Sequence, residues 1–247
     1  FMLYGRLAYD PSIPNGRFEA ILGERYPTVS SQKLFEGWAS VSKIIPLVTR
    51  FYWGALDFQW YPEACWSAEG FESVQKFIKP RWDPMKATED GDRPLLMSVK
   101  EYVDGAKPDG RLNPEQVADQ LQQFADRGLA SIQGLDAGTN KELRLTLGDI
   151  KAMGLLGRYY AEKIRGAVAL YRYQTGGDVT NNANARTHLI AAADYWRQYS
   201  AQWSKQYVKQ VLTRMGLTVV DIAGIQAQVN MDIPPEVVTT NRPAKSP

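Results

Sequence analysis

From Leu143 to Tyr171 the inward positions advance by four and three without a slip: Leu143, Leu147, Ile150, Gly154, Gly157, Ala161, Ile164, Val168 and Tyr171. A repeat of about 3.5 residues held over this length belongs to an α-helix and not to a strand, whose side chains alternate. It asks for neighbouring helices lying nearly parallel or antiparallel to it. The pattern begins after Thr139 and Glu142, a threonine and a glutamate spaced as a capping box that satisfies free backbone donors.

The small residues Gly154, Gly157 and Ala161 leave room for large side chains from a neighbour. The last helix is expected to supply them. It follows Gly176-Gly177, takes a cap near Thr180 and is expected to run to about Met215, with Leu189, Ala193, Trp196, Ser200, Trp203, Tyr207, Val211 and Met215 on one face. Trp196 and Trp203 opposite the glycines would make a large-into-small core. A further helix opens at Asn113-Pro114-Glu115-Gln116, which offers an N-cap, a first-turn proline and a glutamine three residues after the cap. Val117, Leu121, Phe124, Gly128 and Ile132 share its face until Gly134 and Gly138 end the pattern. The expectation is three antiparallel helices, two of them more than about thirty residues long and so roughly 45–50 Å at about 1.5 Å per residue.

The first half is less regular. Residues 17–26 read as a short helix, and Ser30 or Ser31 caps a longer one carrying Leu34, Phe35, Trp38, Val41, Ile44, Ile45 and Val48, kinked by Pro46. Residues 67–79 and 95–104 fit two more short helices, separated by the charged, proline-bearing excursion "KPRWDPMKATEDGDRP". Near the end, "LTVVDI" and "EVVTT" are expected to pair as a small strand addition, and "NRPAKSP" to be a mobile tail. The fold class is therefore all-α: irregular short helices, then an antiparallel bundle of three long ones with a minor β addition near the C-terminus. Residues 1–112 form a helical and loop region, 113–232 the long-helix bundle and 233–247 an extended tail.

Composition removes several functions. Lys and Arg number 29 against 27 Asp and Glu, so no basic field for a phosphate backbone is implied and nucleic acid is not an expected partner. The single cysteine, Cys65, excludes an intrachain disulfide and a multi-cysteine zinc site, and the one histidine, His188, removes most histidine-based metal and triad chemistry. No cofactor is expected. No apolar run reaches about eighteen residues, so no membrane span is expected. Cys65 has no basic partner in sequence and reads as a buried, inert thiol. Arg158, Glu162, Lys163 and Arg165 read as a polar outer helix face, with Arg158 and Glu162 spaced for an i,i+4 ion pair.

The residues that point to binding lie in "FYWGALDFQWYPEACW", 51–66. Tyr52, Trp53, Phe58, Trp60, Tyr61 and Trp66 could stack on the C–H faces of pyranose rings while Asp57, Gln59 and Glu63 accept hydroxyl hydrogen bonds. The same rings could equally be core, since aromatics dominate burial. Asp57 and Glu63 are the nearest approach to a carboxylate pair, but a glycosidase needs two carboxylates about 5–10 Å apart, a distance sequence does not supply. No catalytic residue is assigned.

"YGRLAYDPSIP", residues 4–14, resembles the "YGRLAWDP" type of segment that ends the catalytic barrel in α-glucuronidases and related large bacterial glycoside hydrolases, where a helical C-terminal domain follows. Tyr4, Gly5, Arg6, Leu7, Ala8, Asp10 and Pro11 match, and Tyr9 stands where tryptophan is usual. "RFEAILGERYP", "LFEGWASVSKIIPLVTRFYWG", "DFQWYPEA" and "GRYYAEKIRGA" resemble phrases of the same group. The resemblance implies a catalytic barrel of the same polypeptide upstream of Phe1, with this chain packing on it as a C-terminal domain in polysaccharide or oligosaccharide degradation. Any targeting signal would then lie upstream, and the location would be periplasmic or extracellular if the parent enzyme is exported. It further implies Arg6 and the aromatic segment as sugar contacts: Arg6, Trp53, Asp57, Trp60, Tyr61, Glu63 and Trp66. No catalytic carboxylate of that family maps onto the chain. The alternative is a stand-alone helical protein-interaction or structural module with no sugar site.

Overall fold

The structure, a computed structural model of the chain, describes residues 6–8, 10–52, 60–78, 96–213 and 217–237. Trp53, Asp57, Phe58, Gln59, the 79–94 excursion and the 241–247 tail lie outside them. Nearly all regular structure among the described residues is helical, with two small antiparallel sheets.

The first helix, α1 (Asn15–Arg25), buries Phe18 and Leu22. The second, α2 (Ser31–Val41), starts where the Ser30 hydroxyl accepts a hydrogen bond from the Lys33 amide at 3.3 Å. It does not continue through Pro46 as one kinked helix. The chain turns at Ser42 and Lys43, and α3 (Ile44–Phe51) begins afresh. Pro46 then falls in a first turn, where a missing backbone donor costs nothing.

Residues 67–79 are not one helix either. After a 3₁₀ turn at Pro62–Ala64 the chain forms a hairpin, β1 (Trp66–Ser67) with β2 (Gly70–Phe71), pairing Trp66 with Phe71 and Ser67 with Gly70. Gly70, at φ +90°, makes the reversal possible. Only then comes α4 (Val74–Ile78), followed by α5 (Val99–Val103) behind a reciprocal Ser98–Glu101 capping box.

The three principal helices begin close to where their caps predict. In α6 (Pro114–Ser131), Asn113 and Gln116 exchange side-chain and backbone hydrogen bonds at 2.8 and 2.9 Å. For α7 (Lys141–Gly176), 36 residues long, the cap is Asn140 accepting from the Leu143 amide, one residue later than the Thr139 box. Gly177, at φ +71°, closes it. Asp178 caps α8 (Val179–Trp203), which has 25 residues and stops well short of Met215. Beyond it Gln206 bonds the Leu145 carbonyl and Asp149, and the Tyr207 hydroxyl donates to Asp149 at 2.7 Å, tying the chain to the start of α7. The released segment becomes β3 (Gln210–Leu212), which pairs with β4 (Thr218–Val220). So "LTVVDI" pairs with the residues before it, while most of "EVVTT", residues 238–240, lies outside the described residues. A short α9 (Gln226–Met231) completes the described chain.

Side-chain contacts show that α7 runs antiparallel to both α6 and α8. Asp119, Asp126 and Glu115 of α6 meet Arg165, Arg158 and Arg172 of α7 in reverse order. On the other side, Leu189 lies at Gly166 and the rings of Tyr159 and Trp196 are 4.8 Å apart. Helices α6 and α8 each pack along α7 rather than along one another. The small residues are filled differently from the sequence expectation: Gly154 faces Leu129, and Gly157 faces Ile44 and Ala125. Trp196 packs instead on Tyr159 and donates its Nε1–H to the Ile222 carbonyl, holding the C-terminal segment. Arg158 pairs with Asp126 across helices and not with Glu162, which bonds Arg165 and His188. One apolar core draws on residues from Leu22 to Val229.

Candidate functional site

The aromatic segment forms the joint between the irregular first half and the long helices. Tyr52 stacks on Phe77, with ring centres 4.2 Å apart and planes 7° from parallel, and meets Trp60 edge-on at 5.2 Å. Phe77 leads to Tyr160, Tyr160 to Tyr159, Tyr159 to Trp196, and Trp196 to Tyr199. Two hydroxyls fix the 3₁₀ turn in place. Tyr160 donates to the Pro62 carbonyl at 2.5 Å and Tyr199 to the Glu63 carbonyl at 2.8 Å.

The sequence-predicted contacts are thus dispersed by depth. Trp60 is buried in this stack, and its Nε1–H has no partner among the described residues. Tyr61 and Trp66 are half-buried and bridged through their backbones, while the Glu63 side chain is exposed. Trp66 also lines a shallow depression with Val219, Val220 and Asp221. Arg6 is exposed in the helical turn 6–8.

Two buried ionic groups beneath the segment escaped sequence reasoning. Glu72, 1% exposed, accepts hydrogen bonds from the hydroxyls of Tyr52 and Ser67, with Lys76 Nζ at 3.4 Å. Lys163, fully buried and not on an outer face, sits 2.5 Å from Asp232 and over the rings of Phe71, Phe77 and Tyr159 at 4.6–5.5 Å. The other Asp232 oxygen accepts the Val74 amide at 2.8 Å. A lysine four residues after Tyr159 and four before Ala167 shares a helix face with both, and that was the signal available. Both carboxylates are held by donors on both oxygens, so each is built as a structural anion. Burial, with a smaller contribution from Glu72, pushes the Tyr52 hydroxyl far up, and burial likewise raises the Cys65 thiol, Tyr159 and Tyr160.

Next to Asp232 lies an open-sided cleft of about 510 Å³, bounded by β2, α4, the C-terminal end of α7, the first turns of α8 and residues 231–237. Phe71, Tyr173 and Pro234 give it apolar walls. Asn182 also lines it, only 3% exposed, its side-chain amide without a hydrogen-bond partner among the described residues. A second, more polar recess contains Glu115, Asp119, Arg165 and Arg172, already engaged in ion pairs, and His188, hydrogen-bonded to Glu162. Among the described residues no group of three or more His, Cys, Asp or Glu is arranged to hold a metal ion, and no helix is long and apolar enough to cross a membrane.

No protein-family model matches the chain, and no curated protein matches it in sequence. Among solved structures, a GH138 enzyme targeting pectin rhamnogalacturonan II shares the fold, with a TM-score of 0.73 over 93% of this chain at 11% identity. The match takes in 36% of that enzyme's chain. This helical architecture is therefore one that occurs within a glycoside hydrolase, and the likeness is one of fold alone.

Proposed function

We propose that the chain is a helical accessory domain of a carbohydrate-active enzyme, a glycoside hydrolase of the α-glucuronidase-like group, that packs on a catalytic barrel and takes part in saccharide degradation without being catalytic alone. The observation that carries this reading is the fold match: nearly the whole of this chain corresponds to about a third of a longer glycoside hydrolase. The "YGRLAYDP" segment supports it independently, being of the type that leads from a barrel into a helical domain. Glu72 and Asp232, held on both oxygens, suit a domain whose chemistry is done elsewhere. In this reading Arg6, Tyr61, Glu63 and Trp66, with Trp53 and Asp57, face the saccharide at the barrel's open end, and Trp60 supports them from the core.

The test is to express the native polypeptide that contains this sequence and to assay release of reducing sugar from plant cell-wall polysaccharides, beside the isolated chain and a form lacking residues 6–237. Hydrolysis by the native polypeptide, none by the isolated chain, and weakened activity in the truncated form are the expected results. Turnover by the isolated chain, or a native polypeptide inert toward glycosides, would remove the reading.

A further inference from the structure

The cleft beside Asp232 is separate from the aromatic segment, and its lining has a definite chemistry. Its volume of about 510 Å³ lies within the roughly 300–1,000 Å³ usual for small-molecule sites. Phe71 and Tyr173 offer aromatic surface, and Val74, Leu170 and Ile233 extend the apolar lining. The rim is stiff, because Pro234 and Pro235 fix their own backbone angles and Arg186 donates to the Pro234 carbonyl from behind.

Asn182 is the telling group. An asparagine that is only 3% exposed ordinarily finds hydrogen-bond partners within the protein. This one has none among the described residues and borders the cleft. It presents an acceptor oxygen and two donor hydrogens, a set that one or two vicinal hydroxyls would satisfy. The side chain of Gln174, exposed at the mouth, offers the same pair of functions.

Charge narrows the ligand further. Among the described lining residues the one charged group is Asp232, whose oxygens are already occupied by Lys163 and the Val74 amide. Lys163 is completely buried behind that carboxylate, so no cation in the lining is left to receive an acidic ligand. A carboxylate brought in here would be desolvated against a like charge. We propose that this cleft is a subsite for a single neutral pyranose, the ring packing on Phe71 and Tyr173 and its hydroxyls bonding Asn182 and Gln174. This rests on the reading of the chain as part of a carbohydrate-active enzyme and assigns that reading a second contact point.

Saturation-transfer NMR on the 247-residue chain tests it, with neutral methyl glycosides of gluco, galacto, manno and 6-deoxy-manno configuration as probes beside methyl glucuronide and methyl galacturonide. At least one neutral glycoside should bind with a Kd on the order of 1 mM, and the uronides at least about tenfold more weakly. Asn182→Leu, which keeps the shape of the side chain, and Tyr173→Ala should each weaken the neutral ligand about tenfold, the effect of losing one hydrogen-bonding group or one apolar face. Gln174→Ala alters an exposed side chain, so its smaller loss of binding is measured in a protein that still folds. No transfer to any neutral probe, equal binding of uronides, or binding unchanged in Asn182→Leu and Gln174→Ala would overturn the proposal. A native polypeptide that hydrolyses glycosides while these variants bind normally would defeat this inference alone. Binding here by a polypeptide inert toward glycosides would defeat the functional reading alone.

Discussion

The Lys163 ammonium and the Asp232 carboxylate, 69 residues apart in sequence, meet at 2.5 Å with side chains 0% and 5% exposed. The pair joins the middle of α7 to the residue that ends α9. Removing one member leaves an uncompensated buried charge, and losing Asp232 also strands the Val74 amide. Lys163→Met and Asp232→Ala should each lower stability by about 3–5 kcal/mol, whereas Lys163→Met combined with Asp232→Leu should cost less than either single change. Urea denaturation of the three variants checks this. Single variants within about 1 kcal/mol of the parent would show that the pair is not buried as described.

Helices α2 and α6 approach closely at Gly128, where an added Cβ would lie 2.3 Å from Val41 Cγ1. Alanine there gains about 1 kcal/mol of helix propensity. The β-branched Val41 has little rotamer freedom with which to retreat. Gly128→Ala should therefore be destabilising overall, by about 1–3 kcal/mol. Adding Val41→Ala should recover part of the loss in a thermal melt, because it removes the obstructing methyl groups. Gly176→Ala is the control: open space surrounds that position, and its effect should be small.

Acid should loosen the α7–α8 contact through Glu162. Burial on its own would raise this carboxyl, but hydrogen bonds from His188 Nδ1 at 2.7 Å and Arg165 at 2.6 Å, with their charges, bring it below the ordinary glutamate value. A carboxyl lowered in the folded state adds stability above its unfolded pKa of about 4.3 and loses it as pH falls through the folded value. Glu162→Gln should thus be less stable than the parent near neutrality, with the difference closing below about pH 4. Urea midpoints measured at neutral and acid pH give the comparison. A constant difference across that range would assign Glu162 a packing role only.

The Cys65 thiol should be unreactive in the folded protein. It is fully buried, donates to the Glu72 carbonyl at 3.3 Å and is pushed up in pKa by burial. Only the thiolate attacks a disulfide reagent, so reaction waits on opening of the structure. Ellman's reagent should label the native chain at least about a thousandfold more slowly than the chain in urea. Rapid labelling without denaturant would place the turn after Pro62–Ala64 at the surface.

Helix starts were legible because their causes are local. Asn113 needs only Gln116 three residues on, and the repeat from Leu143 to Tyr171 fixes the course of α7 by itself. Local rules also set limits that the structure did not have to decide, such as the lack of a second cysteine for a disulfide. The end of α8 was not legible. The apolar spacing runs on through Tyr207 and Val211, and only the hydrogen bonds of Gln206 and Tyr207 to α7 show why the helix stops at Trp203.

The site divides in the same way. The composition of 51–66 alone brought Trp60, Tyr61, Glu63 and Trp66 forward, but a ring's chemistry is the same in a core and at a binding surface. Depth separated them, and depth depends on what Tyr52, Phe77 and Tyr160 do from distant parts of the chain. Lys163 next to Asp232, and Asn182 unpaired beside Phe71 and Tyr173, belong wholly to the tertiary structure. The sequence by itself determined a helical chain with given starting points, since capping and periodicity act over a few residues. Only the folded chain decided which polar groups lose water and with whom they pair, because that depends on residues brought together across long separations.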